Sequence, residues 1–139
     1  MKHRNLVIEK KEYVIIKRVL NLSGFQQDST LQKSISKLSK EMESATIYDE
    51  DHMPDDVVRL HTIVTVTTKN GWRKSFKLVL PKESDFKNDK ISLLTPMGAA
   101  VLGYAEGDSL LWNFPSGEQK LTIEKVEQQK TPMNINSEL

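Results

Sequence analysis

The sequence predicts an α+β fold: a short N-terminal antiparallel αα-hairpin of coiled-coil type, followed by an antiparallel β-sheet with one short helix packed on it. Three observations carry this. Residues 1–45 hold one glycine and no proline, whereas all five prolines and the other five glycines fall beyond them. Leu31, Ile35, Leu38, Met42 and Ala45 recur at steps of four and three, the spacing of a helical seam. From Thr46 onward, strand-like alternation takes over. A chain of 139 residues allows one domain of ordinary size with a small appendage. The organisation is read as a helical hairpin over 1–45, a β-rich domain over 46–127 and a loose polar tail over 128–139.

Bulk composition narrows the function. Hydrophobic residues at 37% and charged ones at 28% suit a solvated chain that still builds a core. A formal net charge of +1 provides no global pull towards nucleic acid or anionic membrane. The absence of cysteine excludes disulfides, thiolate metal sites and cysteine nucleophiles. The opening "MKHRNLVIEKK" lacks the apolar stretch and cleavage site of a signal peptide, and no apolar run approaches the roughly 18 residues of a membrane span. A cytoplasmic chain is expected, with no membrane partner, no cofactor and no metal.

The first element, "LVIEKKEYVIIKRVLNL", is read as a helix. Val14, Ile15 and Ile16 favour a strand, yet Ile8, Ile15, Val19 and Leu22 fit helical steps broken once by Glu12. "SGFQQD" then joins it to "DSTLQKSISKLSKEMESA", where Ser29 and Gln32 make a capping box and Asp28 is an alternative N-cap. Eighteen residues at about 1.5 Å each give a rod of roughly 27 Å, with Gly24, Phe25, Gln26, Gln27 and Asp28 at its tip.

"YDEDHMPDDVV" gathers Asp49, Glu50, Asp51, Asp55 and Asp56, but lacks the alternating ligands, central glycine and distal glutamate of a calcium loop. It reads as a solvated elbow in which Pro54 stops the helix, with His52 and His61 as ordinary surface or strand residues. "VVRLHTIVTVTT" is a strand, Asn70-Gly71 the centre of a type I′ hairpin, and "WRKSFKLVL" its return. On the return strand Phe76, Leu78 and Leu80 share one face with Lys74, and Arg73 and Lys77 point the other way beside Val79. Arg73 and Lys77 form a secondary candidate basic surface, although the small net charge favours a solvated sheet face with weak or indirect nucleic-acid contact. "ISLLT", "SLLWNF" and "QKLTIEKV" complete the strands, the last anchored by Leu121, Ile123 and Val126.

"SLLTPMGAAVLGYAEGDSL" lies between two of these strands. Thr95 suits an N-cap, Pro96 the first helical position and Gly103 the residue past the end. Gly98 inside so short a helix implies close approach to the sheet. The pattern matches neither phosphate-binding glycine motif, so the stretch is a strand–helix–strand crossover.

"ISLLTPMGAAVLGYAEGDSLLWNFPSGEQKLTIEKV" resembles the C-terminal domain of the GreA/GreB transcription elongation factors, in which a strand leads to a Ser-Pro-x-Gly/Ala-x-Ala-Leu-x-Gly helix, a "GD" strand and a final hairpin. "HMPDDVV" and the short front hairpin resemble more specifically the branch called regulators of nucleoside diphosphate kinase. The resemblance implies an FKBP-like sheet and binding to bacterial RNA polymerase near its secondary channel. It also implies docking through Leu94, Thr95, Pro96 and Met97, in shared use with Gre factors that this chain would compete with. In that family an acidic coiled-coil tip helps hold a magnesium ion that promotes transcript cleavage; here the tip has one carboxylate, Asp28, on a shorter rod. The resemblance therefore implies a non-enzymatic regulator of elongation that does not stimulate cleavage. The alternatives are an enzyme or peptide-binding module using the FKBP-like sheet, or an indirect regulator of nucleoside diphosphate kinase. The spacing shows no histidine–carboxylate pair for catalysis.

Overall fold

The computed structural model of the protein describes residues 2–22, 29–114 and 117–129. The tip Gly24, Phe25, Gln26, Gln27 and Asp28, the Ser29 side chain of the capping box, Pro115 and Ser116, and most of the 128–139 tail lie outside what the structure describes.

The first regular element is a strand. β1 (Val7–Glu9) pairs in parallel with β2 (Thr46–Tyr48), Val7 opposite Thr46 and Glu9 opposite Tyr48. Leu6, Val7 and Ile8 are buried, and adjacent β-branched residues suit a pleated strand. This corrects the helix expected over 6–22: α1 spans Lys10–Leu22. Glu9 starts it, its carboxylate accepting the N–H of Lys11 at 2.9 Å and of Glu12 at 3.0 Å. Ile15 and Ile16 stay helical because both are buried, tertiary packing overriding propensity. The buried stripe is Glu12, Ile15, Ile16 and Leu20, while Leu22 is 83% exposed. The expected seam through Ile8 and Leu22 is thus replaced by a wider face of 3.6 period.

α2 (Ser29–Met42) buries Leu31, Ile35, Leu38 and Met42, as their spacing requires. It ends at Met42 with Ala45 half-buried beyond it, so its 14 residues span about 21 Å rather than the longer rod expected. The buried residues of both helices join Phe76, Leu78, Leu121 and Ile123 in one cluster.

The main sheet has five strands: β3 (Ile63–Thr67), β4 (Arg73–Val79), β5 (Lys90–Ser92), β6 (Ser109–Phe114) and β7 (Gly117–Glu127), in the order β5-β4-β3-β7-β6. All neighbours are antiparallel except β4 and β5, which run parallel; the sheet is therefore mixed. The strand expected from Val57 begins only at Ile63. His61 has φ +71, and the Thr62 hydroxyl accepts the Arg59 N–H at 2.9 Å, so the backbone turns before the ladder starts. The β3–β4 loop is not type I′: Gly71 is left-handed at φ +93 and Asn70 is not. The Gly71 N–H bonds the Thr68 carbonyl at 3.2 Å and Thr68 closes on Trp72, giving a three-residue loop with a glycine bulge. Between β3 and β7, Thr65 faces Lys125 while Val66 faces Ile123. Glu124 is the extra, bulged residue, which explains why the inward anchors step from Ile123 to Val126.

α3 (Pro96–Val101) carries the chain from β5 at one edge of the sheet to β6 at the other, and α2 lies against it. Thr95 is extended (φ −124, ψ 157) and its hydroxyl accepts the Gly98 N–H at 3.1 Å. Gly103 takes φ +81 beyond the helix end. A Cβ on Gly98 would stand 2.2 Å from the Ser92 carbonyl oxygen and 3.1 Å from Leu78 Cδ1. In an open helix Gly→Ala stabilises by up to about 1 kcal/mol. Here Gly98→Ala is expected to destabilise instead, and Gly98→Leu to cost on the order of 1–3 kcal/mol or more by overpacking. Denaturant midpoints check this; a raised midpoint for Gly98→Ala would show that the Ser92 carbonyl is free to yield.

Candidate functional site

Leu94, Thr95, Pro96 and Met97 form the turn from β5 into α3, and all four are half-buried. Local hydrogen bonds hold the turn rigid. The Ser92 hydroxyl accepts the Leu94 N–H at 2.9 Å, and the Thr95 hydroxyl donates to the Ser92 carbonyl at 2.7 Å while capping α3. Thr95, Pro96 and Met97 line a groove of about 240 Å³ with Phe86, Ile91 and Trp112. Because Ile91 is on one edge strand and Trp112 on the other, the sheet curls to bring them together. Phe86 is 79% exposed, and the Lys74 ammonium lies 5.6 Å from its ring centroid and 3.4 Å from the Asp89 carboxylate. Lys90 is the one ionisable side chain in this groove among the described residues. The chemistry suits capture of an apolar side chain rather than proton transfer.

The secondary basic surface is partly countered. Arg73 Nε stands 3.2 Å from the bulged Glu124 carboxylate, and Lys77 is half-buried in β4. The acidic elbow is dispersed by the fold. Asp56 holds Lys2 and His3, Asp49 holds His52 Nδ1 at 2.5 Å, and Glu50 faces Arg59.

Sequence reasoning missed the strongest electrostatic feature. Glu12 is 2% exposed in the core face of α1. Arg59 Nε donates to Glu12 Oε2 at 2.9 Å, and its Nη2 meets the same oxygen. The guanidinium also forks onto Glu50 at 2.7 and 2.8 Å. Leu60 N–H donates to the other Glu12 oxygen at 3.1 Å. Burial pushes the Glu12 carboxyl above the usual range, and Arg59 draws it only part of the way back. The hydrogen bond from Arg59 holds Glu50 below its ordinary value, and Asp49 is lowered and His52 raised by their mutual bond. Glu9, Glu12 and Glu50 bring carboxylate oxygens within 4.8 Å of one another, but Arg59 and the α1 N–H groups already satisfy them. The signal was available: Glu12 is the charge that interrupts the apolar stripe.

The fold also corrects the expectation that no histidine meets a carboxylate. His3 Nε2 lies 3.0 Å from Asp56, His52 pairs with Asp49, and His61 Nε2 lies 2.9 Å from Glu83. None of these pairs borders the groove at α3.

A family model described as transcription elongation factor GreA/GreB, C-terminal, matches residues 53–128, more than half of the chain. The chain belongs to this family. Transcription elongation factor GreA of Christiangramia forsetii is 31% identical over 97 residues, 69% of this chain and 61% of that protein. The regulator of nucleoside diphosphate kinase of Escherichia coli K12 is 33% identical over 81 residues, 58% of this chain and 60% of that protein. The chain therefore spans about three-fifths of the length of these relatives. A prokaryotic transcription elongation factor GreA/GreB from Nitrosomonas europaea superposes with a TM-score of 0.73 at 26% identity, covering 89% of this chain and 98% of that one. The GreA/GreB match takes in Arg59, α3 and the groove; α1 with Glu12 precedes it. No helix among the described residues is long and apolar enough to cross a membrane.

Arg59→Met strands Glu12 in the core without its cation, at an expected cost of about 3–5 kcal/mol. The sign of its pH dependence follows from the raised carboxyl. The folded state keeps a proton that the unfolded chain releases, so stability is greatest below the unfolded value and falls as pH rises through the folded one. Removing Arg59 widens that window upward. Chemical denaturation from acid to neutral pH is expected to show a steeper fall in the variant than in the wild type, with Glu12→Leu added to Arg59→Met recovering most of the loss. A loss independent of pH would place Glu12 in solvent.

Proposed function

We propose that this chain is a non-enzymatic regulator that binds bacterial RNA polymerase near its secondary channel and modulates transcription elongation without stimulating transcript cleavage. The observation that carries the reading is the rigid, half-exposed turn Leu94–Met97 beside an apolar groove, in a chain of the GreA/GreB family. A capped helix start offers a fixed shape, so little ordering cost accompanies docking. The five-stranded sheet crossed by α3 is read as FKBP-like, and α1 and α2 as the two arms of a hairpin closed through residues 23–28. An FKBP-like fold confers no isomerase activity of itself.

The expectation that cleavage is not stimulated rests on the length and chemistry of the arms. A probe that helps hold magnesium must present carboxylate oxygens about 2.1 Å from the ion. The segment between the helices contains Asp28 as its one carboxylate, and the described helical residues, 13 in one arm and 14 in the other, span about 20 Å. Such a protein would compete with Gre factors through shared docking while leaving the metal centre untouched.

Two measurements test this. Pro96→Ala combined with Met97→Glu is expected to weaken binding to purified core polymerase while leaving the chain folded, with a modest fall in the denaturant midpoint because half-buried Met97 packs on the core. Equal affinity of the folded double variant would move the interface elsewhere, Arg73 and Lys77 being the next candidate. In backtracked elongation complexes, saturating protein is expected to leave RNA cleavage at background, with or without Asp28→Asn. Cleavage above background that Asp28→Asn abolishes would mean that the hairpin reaches the active centre.

A further inference from the structure

The two edges of the main sheet are treated differently. β5 is three residues long, begins with Lys90, and is bridged on its far side by Asp85. Those are the usual protections of an edge strand. β6 is six residues long, Ser-Leu-Leu-Trp-Asn-Phe, with no charge and no proline, and it keeps regular register with β7 throughout. Leu111 on its outer face is 67% exposed. Alternate residues of an edge strand turn their N–H and C=O groups away from the sheet. Among the described residues β6 makes no backbone hydrogen bond on that side. Unpaired groups of this kind are a template for another strand.

A groove of about 210 Å³ runs beside this edge, between Leu110–Asn113 of β6 and Lys33, Ser34 and Lys37 of α2, with Pro96 and Ala100 of α3 as its floor. Its charged wall has one sign. Lys33 is exposed and makes no ion pair among the described residues. Lys37 is 58% exposed and held by Glu41 at 3.8 Å. We propose that β6 is a strand-addition site for an extended segment of a partner protein in which acidic and apolar residues alternate. The backbone of the guest pairs with β6, its acidic side chains face the lysine wall of the groove, and its apolar side chains lie on the opposite face beside exposed Leu111. Charge selects the occupant. Two copies joined edge to edge would set the lysines of both along one seam, whereas carboxylates complement them.

The probe is a blocked heptapeptide of alternating valine and glutamate, titrated into the full chain at low salt and followed by amide nuclear magnetic resonance. Shifts are expected at 109–114 and 30–37, with affinity about tenfold weaker for the valine–lysine counterpart. Because Lys33 and Lys37 are exposed, Lys33→Glu with Lys37→Glu is expected to fold and to reverse that preference. A glutamate peptide with a central proline is expected to bind weakly, since it cannot complete the ladder. The proposal is overturned if millimolar peptide leaves the β6 amides unmoved, or if both peptides bind alike. It is also overturned if the β6 amides change on dilution of the protein alone, which would assign the edge to a second copy.

Discussion

A carboxylate in the core of α1 must meet a cation or take up a proton, and much of the architecture follows from how Glu12 meets this demand. Arg59 reaches it from the turn before β3 and holds Glu50 on the elbow with the same guanidinium. One side chain thus ties the first helix, the connection after the second helix and the entry to the sheet. Apolar burial draws α1 and α2 into the common core but is indifferent to small rotations. A forked, hydrogen-bonded charge pair tolerates few geometries. Replacing the pair by apolar residues would retain most of the burial energy and lose this orientational constraint.

The second constraint lies where α3 meets the sheet. Gly98 lets α3 sit against the Ser92 carbonyl, and Ser92 in turn holds the Leu94 N–H and the Thr95 hydroxyl. The close approach and the rigid turn are therefore one structure. Pro96 and Trp112 border both surface grooves, so the turn into α3 and the open edge of β6 form a continuous face. α2, packed on α3, provides the cationic wall of that face.

What could be read from the sequence was local or strictly periodic. The α2 seam, the Thr95 cap, Pro96 at the first helical position and Gly103 past the end each need only neighbours within one turn. The features that were not legible depend on distant partners. Val7 and Ile8 form a strand because Thr46 and Ile47 lie beside them, and Ile15 and Ile16 escape the same fate by burial in the common core. The parallel placement of β5 follows from the chain turning back through Asp85–Lys90, which no alternation pattern encodes. Leu111 alternates like any strand residue; only strand order reveals that it stands on an open edge. The proposed docking residues rest on family resemblance, whereas Phe86 and Trp112, which line a groove with three of them, come from other parts of the chain.

The central proposal is that the turn Leu94–Met97 is the surface presented to RNA polymerase. Hydrogen–deuterium exchange of the chain, alone and with saturating core polymerase, tests it most directly. The account predicts slowed exchange at the amides of Leu94, Thr95 and Met97 and in adjoining β5, with little change along β4 at Arg73 and Lys77. Protection confined to β4, or a 94–97 segment that exchanges equally fast in both states, would contradict it.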